Sequence, residues 1–95
     1  MAAPDRVDWS PRALRDLIAI YRITAADNPR AAAEQGEHII EHAEALARQP
    51  RLGKVSHWRG RRVLVLTRYP YSIYYRCFRR NVRVLRVVHQ RRRFP

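Results

Sequence analysis

The sequence has few of the residues that define several classes of protein. Cys77 is the only cysteine among 95 residues, which excludes an internal disulfide and a cysteine-rich zinc site. The three glycines are too far apart for a glycine-rich phosphate loop. No apolar run reaches the roughly 18 residues of a membrane-spanning helix, and residues 1–5 lack the basic and apolar segments of a signal peptide. We therefore expect a cytoplasmic protein without membrane contact.

Acidic residues are absent from the second half of the chain. Residues 1–50 contain all eight acids and six arginines, whereas residues 51–95 contain 14 basic residues and no acid. Nearly all the basic residues are arginines, whose planar guanidinium pairs bidentately with carboxylate or phosphate. An unpaired basic half of this kind either attracts a polyanion or an acidic partner chain, or is a solvated surface.

Apolar residues make up 46% of the chain, which is enough for one packed core despite the net charge of +12. A chain of this length has no room for a second core. We therefore predict a single domain over residues 1–95, in which residues 90–95 form a basic C-terminal tail.

Two amphipathic helices are predicted in the first half of the chain. Ser10 and Asn28 are N-cap residues, and each precedes a proline at the first helical position. Apolar residues then recur at helical spacing and predict the core-facing stripe of each helix. The two stripes are Leu14, Leu17, Ile18, Tyr21 and Ala25, and then Ala32, Gly36, Ile39, Ala43 and Leu46. A short connection between the helices predicts an antiparallel hairpin.

Four strands complete the predicted fold. One strand precedes the helices at residues 6–9, and three follow at 61–67, 71–78 and 82–89, with residues 50–60 as a loop. Short connections between the last three strands predict an antiparallel meander. The expected class is therefore α+β, with the order β-α-α-β-β-β and a helical hairpin packed on one face of a small antiparallel sheet.

Alternation along residues 71–78 assigns side chains to the two faces of the sheet. Tyr71, Ile73, Tyr75 and Cys77 are predicted to face the helices, so Cys77 is expected to be buried and inert. The opposite face is expected to carry polar and basic side chains. That face and the tail contain the remaining candidates for function, which are Arg62, Ser72, Tyr74, Arg76, Arg86, His89 and Arg91.

Histidines provide a weak signal for a metal site. His38 and His42 are spaced i, i+4 on the second predicted helix, so both side chains can lie on one face. No third ligand is evident, and the sequence therefore predicts no metal and no cofactor.

Three kinds of function suit the cations and aromatics of the sheet. Arginine, tyrosine and histidine can stabilise phosphoryl charge and move protons in a metal-free RNase. The same side chains can hold the acidic segment of a partner protein, or bind nucleic acid with a steep dependence on salt. The residue pattern alone leaves these alternatives open.

Several segments resemble the RelE/ParE superfamily, the toxins of type II toxin–antitoxin systems. The resembling segments are residues 9–13, 16–17, 28–29, 69–76 and 85–92, together with Leu46 and Pro50. The resemblance implies a β-α-α-β-β-β fold, a toxic activity and a cognate antitoxin that wraps the toxin in a hetero-oligomer.

The superfamily has two main activities, and the residues favour one of them. RelE-like members cleave mRNA on the ribosome, whereas ParE-like members inhibit DNA gyrase. RelE-like nucleases carry lysines at the positions of Val63 and Val65 and an arginine at the position of Ser72, and only their last arginine has a match, at Arg91. Because these transition-state cations are missing, a ParE-like gyrase inhibitor without enzyme activity is favoured. A RelE-like RNase remains the alternative.

Candidate site residues follow from each interpretation. For contact with the gyrase target we predict Arg86, His89, Arg91 and Arg92. For binding of the antitoxin we predict Arg62, Arg68 and Arg76. If the protein is instead an RNase acting on the ribosome and mRNA, the catalytic candidates are Arg76, Arg86, His89 and Arg91.

Overall fold

A computed structural model of the protein describes residues 6–92. Its elements are β1 (Arg6–Trp9), α1 (Pro11–Ala25), α2 (Pro29–Glu44), a 3₁₀ turn (Ala45–Ala47), β2 (Lys54–Val55), β3 (Arg62–Val65), β4 (Tyr71–Cys77) and β5 (Asn81–His89). Both predicted N-caps are confirmed. The Ser10 hydroxyl accepts a hydrogen bond from the Ala13 N–H at 3.0 Å, and the Asn28 side chain accepts one from the Ala31 N–H at 3.1 Å.

The five strands form one mixed sheet in the order β1-β5-β4-β3-β2. The predicted antiparallel meander is confirmed for β3, β4 and β5. The sheet is not wholly antiparallel, because β1 pairs with β5 in parallel. Parallel neighbours need a crossover connection, and the helical hairpin lies between β1 and β5 along the chain. The expected loop at 50–60 also contains a short strand, β2, which pairs with β3.

The main core lies between the helices and the sheet. It includes Ala13, Ile20, Ile39, Ala43, Ile73 and Val84. Four members of the predicted α2 stripe are buried, namely Ala32, Ile39, Ala43 and Leu46. The α+β architecture with a helical hairpin on one sheet face is therefore confirmed.

The predicted core stripe of α1 is largely wrong. Leu14, Ile18 and Tyr21 are 46%, 50% and 44% exposed, whereas Ala13 and Ile20 are buried. The helix carries apolar residues on more than one face, and its packing against α2 and the sheet covers only one of them. Periodicity alone selected the face that stays open.

The sheet face opposite the helices is not the open polar surface that alternation predicted. Val63, Tyr74 and Val88 form a second small cluster on it, and Trp58 from the loop before β3 packs against this cluster. The prediction for Cys77 is also wrong, because its side chain is exposed at the end of β4. Among residues 6–92, no helix is long and apolar enough to cross a membrane.

Candidate binding surfaces

Arg86 lies inside the fold rather than on an accessible surface. Its guanidinium donates to Asp16 of α1, from Nε to Oδ2 at 2.7 Å and from Nη2 to Oδ1 at 3.3 Å. The two side chains are only 11% and 12% exposed. The sequence predicts Arg86 as a contact for the target. Tertiary packing instead buries it, because α1 covers the part of β5 that β1 leaves unpaired.

Asp16 also completes the open edge of β5. Beyond Trp9, β1 no longer pairs with β5, so backbone groups of β5 lose their ladder partners. The Val87 N–H donates to Asp16 Oδ2 at 3.0 Å, and the Ser10 hydroxyl donates to the Leu85 carbonyl at 3.1 Å. The residues around the N-terminus of α1 therefore replace a missing strand.

The other predicted target-contact residues lie together where β5 ends. His89 pairs with Tyr71 across the sheet, and their ring centroids are 5.4 Å apart. His89 Nδ1 accepts from the Arg91 N–H at 3.1 Å, and the His89 carbonyl accepts from the Arg92 N–H at 2.9 Å. These bonds fold residues 89–92 into a turn that leaves both arginine side chains exposed.

Gln90 fixes this turn against the connection between β3 and β4. Its side-chain Nε2 donates to the Leu66 carbonyl at 2.7 Å and to the Tyr71 carbonyl at 3.0 Å, and its N–H donates to the Pro70 carbonyl at 2.8 Å. The predicted tail at 90–95 is thus anchored at its first residue. Residues 93–95 of that tail lie outside the described residues.

The three arginines predicted to bind an antitoxin do not form one surface. Arg62 donates to the Gly53 carbonyl at 2.9 Å and is opposite Tyr75, whose ring is in the core. Arg68 lies over the Tyr69 ring at 5.3 Å, in the turn between β3 and β4. Arg76 is near the other end of β4, on the face opposite the helices. The fold therefore separates these three residues.

The predictions from the sequence did not include a groove that lies between α1 and α2. Leu17, Ile18 and Tyr21 of α1 line it together with Gly36 and Ile40 of α2, and it encloses about 460 Å³. A Cβ added at Gly36 meets no atom within 4 Å, so this position opens into the groove. The signal in the sequence was the surplus of apolar residues on α1, which exceeds what one buried face requires.

Three side chains form an aromatic cluster between α2 and the turn that joins β3 to β4. The imidazole centroids of His38 and His42 are 4.0 Å apart, and Tyr69 meets His38 edge-on at 5.0 Å. Burial lowers the pKa of His38 below its ordinary value of 6.5, and the positive charges of His42 and Arg68 lower it further. Within residues 6–92 no group of three metal ligands forms around these histidines.

Comparison with known proteins places the chain in a family. The family model described as "ParE toxin of type II toxin-antitoxin system, parDE" matches residues 7–94. A protein of Sinorhizobium fredii named "Putative toxin Y4kP" is 38% identical over 90 residues, which cover 95% of this chain and 93% of that protein. The chain therefore belongs to the ParE toxin family of type II toxin–antitoxin systems.

A solved structure supports the same assignment. The structure described as "Chromosomal ParDE TA system from P. aeruginosa" matches this fold with a TM-score of 0.81 at 28% identity. The match covers 88% of this chain and 94% of that one. The RelE/ParE resemblance, with its ParE-like branch, is confirmed, and an antitoxin is supported as a partner.

Proposed function

We propose that this ParE-type toxin inhibits DNA gyrase by binding to it, has no nuclease activity, and is neutralised when an antitoxin occupies the groove between α1 and α2. The observation that carries the first part is the absence of cations at Val63, Val65 and Ser72, the positions where RelE-like nucleases hold them. Val63 and Ser72 are buried, and Val63 packs with Tyr74 beneath Trp58. Transition-state stabilisation of phosphoryl transfer needs preorganised cations at such a site.

The alternative catalytic set does not assemble among the described residues. Arg86 is held by Asp16 and is opposite Tyr74 of β4. Arg76 lies two residues after Tyr74 and is opposite Arg83 instead. His89 and Arg91 are at the far end of β5, where His89 packs beside Tyr71. General acid–base catalysis requires its groups within hydrogen-bond reach of one reacting centre. This dispersal supports a binding toxin over a RelE-like RNase.

A supercoiling assay with purified gyrase, relaxed plasmid and the full chain tests the proposed target. We expect inhibition of supercoiling, and relief of that inhibition when the cognate antitoxin is added. A parallel reaction with ribosomes and mRNA should yield no cuts within ribosome-bound codons. Normal supercoiling at a large excess of folded toxin, together with codon-dependent cleavage, would instead establish the RelE-like activity.

The turn at residues 89–92 is the proposed contact with gyrase. Arg91 and Arg92 are exposed there, and rim charges of this kind accelerate and orient association. Exchanging both for glutamine should raise the half-inhibitory concentration by about tenfold, which corresponds to about 1.4 kcal/mol. The matched control exchanges Arg15 and Arg22, two exposed arginines of α1, and should leave inhibition unchanged. An equal rise in the half-inhibitory concentration for both double variants would contradict the assignment of this turn as the gyrase contact.

The groove between α1 and α2 is the proposed antitoxin site. An apolar groove between two helices suits the apolar side of a third helix. Ile18→Glu places a charge in the groove at a half-exposed position, and should weaken antitoxin binding by at least about tenfold, or 1.4 kcal/mol. Ile23→Glu is the control, because Ile23 is 71% exposed on the same helix and does not line the groove. Equal effects of the two variants on the dissociation constant, measured by calorimetry, would contradict the proposal.

A second variant separates loss of binding from loss of folding. Gly36→Leu places an apolar side chain in the groove, at a position where an added Cβ meets no atom within 4 Å. Leucine is a better helix former than glycine by up to about 1 kcal/mol. We therefore expect Gly36→Leu to lower antitoxin affinity while the thermal midpoint stays the same or rises.

A further inference from the structure

Two arginines, Arg76 and Arg83, lie opposite each other on the sheet face away from the helices, and Arg61 directly precedes β3. We call these three residues the arginine row. Arg76 of β4 is directly opposite Arg83 of β5 in the strand register. Arg61 comes just before β3, where the next residue, Arg62, is opposite Tyr75, so Arg61 neighbours Arg76. Like charges on directly opposed residues destabilise a sheet. The row therefore opposes folding unless anions neutralise it.

The protein itself supplies little neutralising charge to the row. Asp8 of β1 lies 3.7 Å from Arg83, between Oδ1 and Nη1, and both side chains remain partly exposed. Among residues 6–92, Asp8 is the only carboxylate that forms an ion pair with a member of the row. Positive charge thus remains in excess on this face, and exposed Arg79 and Arg80 continue it into the turn between β4 and β5.

Two of the guanidinium groups are held in place by aromatic rings. The Arg61 guanidinium carbon lies 4.8 Å from the centre of the Trp58 ring, and that of Arg76 lies 5.1 Å from the Phe78 ring. Trp58 is itself fixed against the apolar cluster on this face. Side chains held in this way lose less conformational freedom when they bind a ligand. Arg61 Nη1 also donates to the Arg59 carbonyl at 2.8 Å, so Arg61 and Arg76 are preorganised cations rather than freely moving side chains.

We propose that the arginine row binds the sugar–phosphate backbone of duplex DNA without reading its sequence. Neighbouring strands are about 4.8 Å apart, so the row spans about 10 Å, a length over which one DNA strand carries about four phosphates at 3.4 Å of axial rise each. Guanidinium groups also match phosphate oxygens in a bidentate geometry. This activity goes beyond gyrase inhibition and requires neither gyrase nor antitoxin.

The aromatic side chains of this face favour duplex DNA over single-stranded RNA. Proteins that bind single strands stack splayed bases on free aromatic rings. Here Trp58 and Phe78 already carry a guanidinium, and Tyr74 is buried within the apolar cluster. On this face the guanidinium groups therefore cover the rings of Trp58 and Phe78 and are better placed for contact with phosphate.

Fluorescence anisotropy tests the proposal with the full chain and a labelled DNA duplex of roughly 20 base pairs, which is about two helical turns. The dissociation constant is measured between about 50 and 200 mM salt. Each phosphate contact contributes a factor of about [salt]^−0.9 to the binding constant. Arg76→Gln and Arg61→Gln should each lower affinity about eightfold near 0.1 M salt and reduce the log–log salt slope by about one. Arg76→Lys keeps the charge and should retain the slope. Arg15→Gln, the matched control on α1, should change neither quantity.

Three results would overturn the proposal. The first is an equal loss of affinity in Arg15→Gln and Arg76→Gln, which would reveal attraction by net charge alone. The second is tighter binding of poly-glutamate than of the duplex, which would reassign the row to an acidic protein partner. The third is tighter binding of single-stranded RNA than of duplex DNA. Because gyrase is absent from these measurements, a failure here is distinct from a failure of gyrase inhibition.

Discussion

The ion pair between Arg86 and Asp16 provides the sharpest test of how this fold is stabilised, because one carboxylate meets two arginines in different surroundings. Arg86 is 11% exposed and its Nε lies 2.7 Å from Asp16 Oδ2. Arg12 is 57% exposed and its Nε lies 3.6 Å from Oδ1 of the same aspartate. Removing one partner of a buried pair costs about 3–5 kcal/mol, whereas an exposed pair contributes about 0–1 kcal/mol.

We therefore expect Arg86→Gln to lower the free energy of unfolding by about 3 kcal/mol, at the lower end of the buried range because both side chains retain some solvent contact. For a domain of this size the loss corresponds to a fall of about 12–24 °C in the thermal midpoint. Arg12→Gln should lower the unfolding free energy by less than about 1 kcal/mol. Urea denaturation followed by circular dichroism measures both values.

A double substitution refines this prediction. Arg86→Met combined with Asp16→Leu leaves no uncompensated charge, so it should be more stable than Arg86→Gln. Some loss should remain, because the Val87 N–H no longer has its carboxylate acceptor. Equal destabilisation by Arg86→Gln and Arg12→Gln would refute the reasoning, since it would mean that burial does not decide the strength of the pair.

Two further predictions concern the buried Tyr75 hydroxyl and the His38 imidazole. Tyr75→Phe removes a hydroxyl that donates to the Pro50 carbonyl at 2.8 Å and accepts from the Gly53 N–H at 2.9 Å. The free energy of unfolding, measured by urea titration, should therefore fall by about 1–3 kcal/mol. Tyr21→Phe is the control and should change it little, because the Tyr21 ring is exposed. Burial lowers the pKa of His38, so the unfolded chain binds more protons than the folded chain below pH 6.5, and stability should fall as the pH drops through that value. An NMR titration of the His38 imidazole that gives a pKa at or above 6.5 would contradict this sign.

Local chemistry in the sequence was sufficient for both helices, for four of the five strands and for their order along the chain. The side chains of Ser10 and Asn28 cap the first turns of α1 and α2, and helix capping depends on only a few neighbouring residues. The antiparallel meander followed from connections too short for any crossover. The family resemblance also rested on short segments and their spacing, and it is confirmed. These features need no information about distant parts of the chain.

Only the tertiary structure decided which polar and apolar side chains remain available to partners. Periodicity could not choose between two apolar faces of α1, because that choice depends on where α2 and the sheet lie. Nor could sequence pair Arg86 with Asp16, which are 70 residues apart and meet because α1 covers the edge of β5. Composition determined that this protein would carry a large excess of arginine, and the strand register determined that Arg76 and Arg83 stand directly opposite each other.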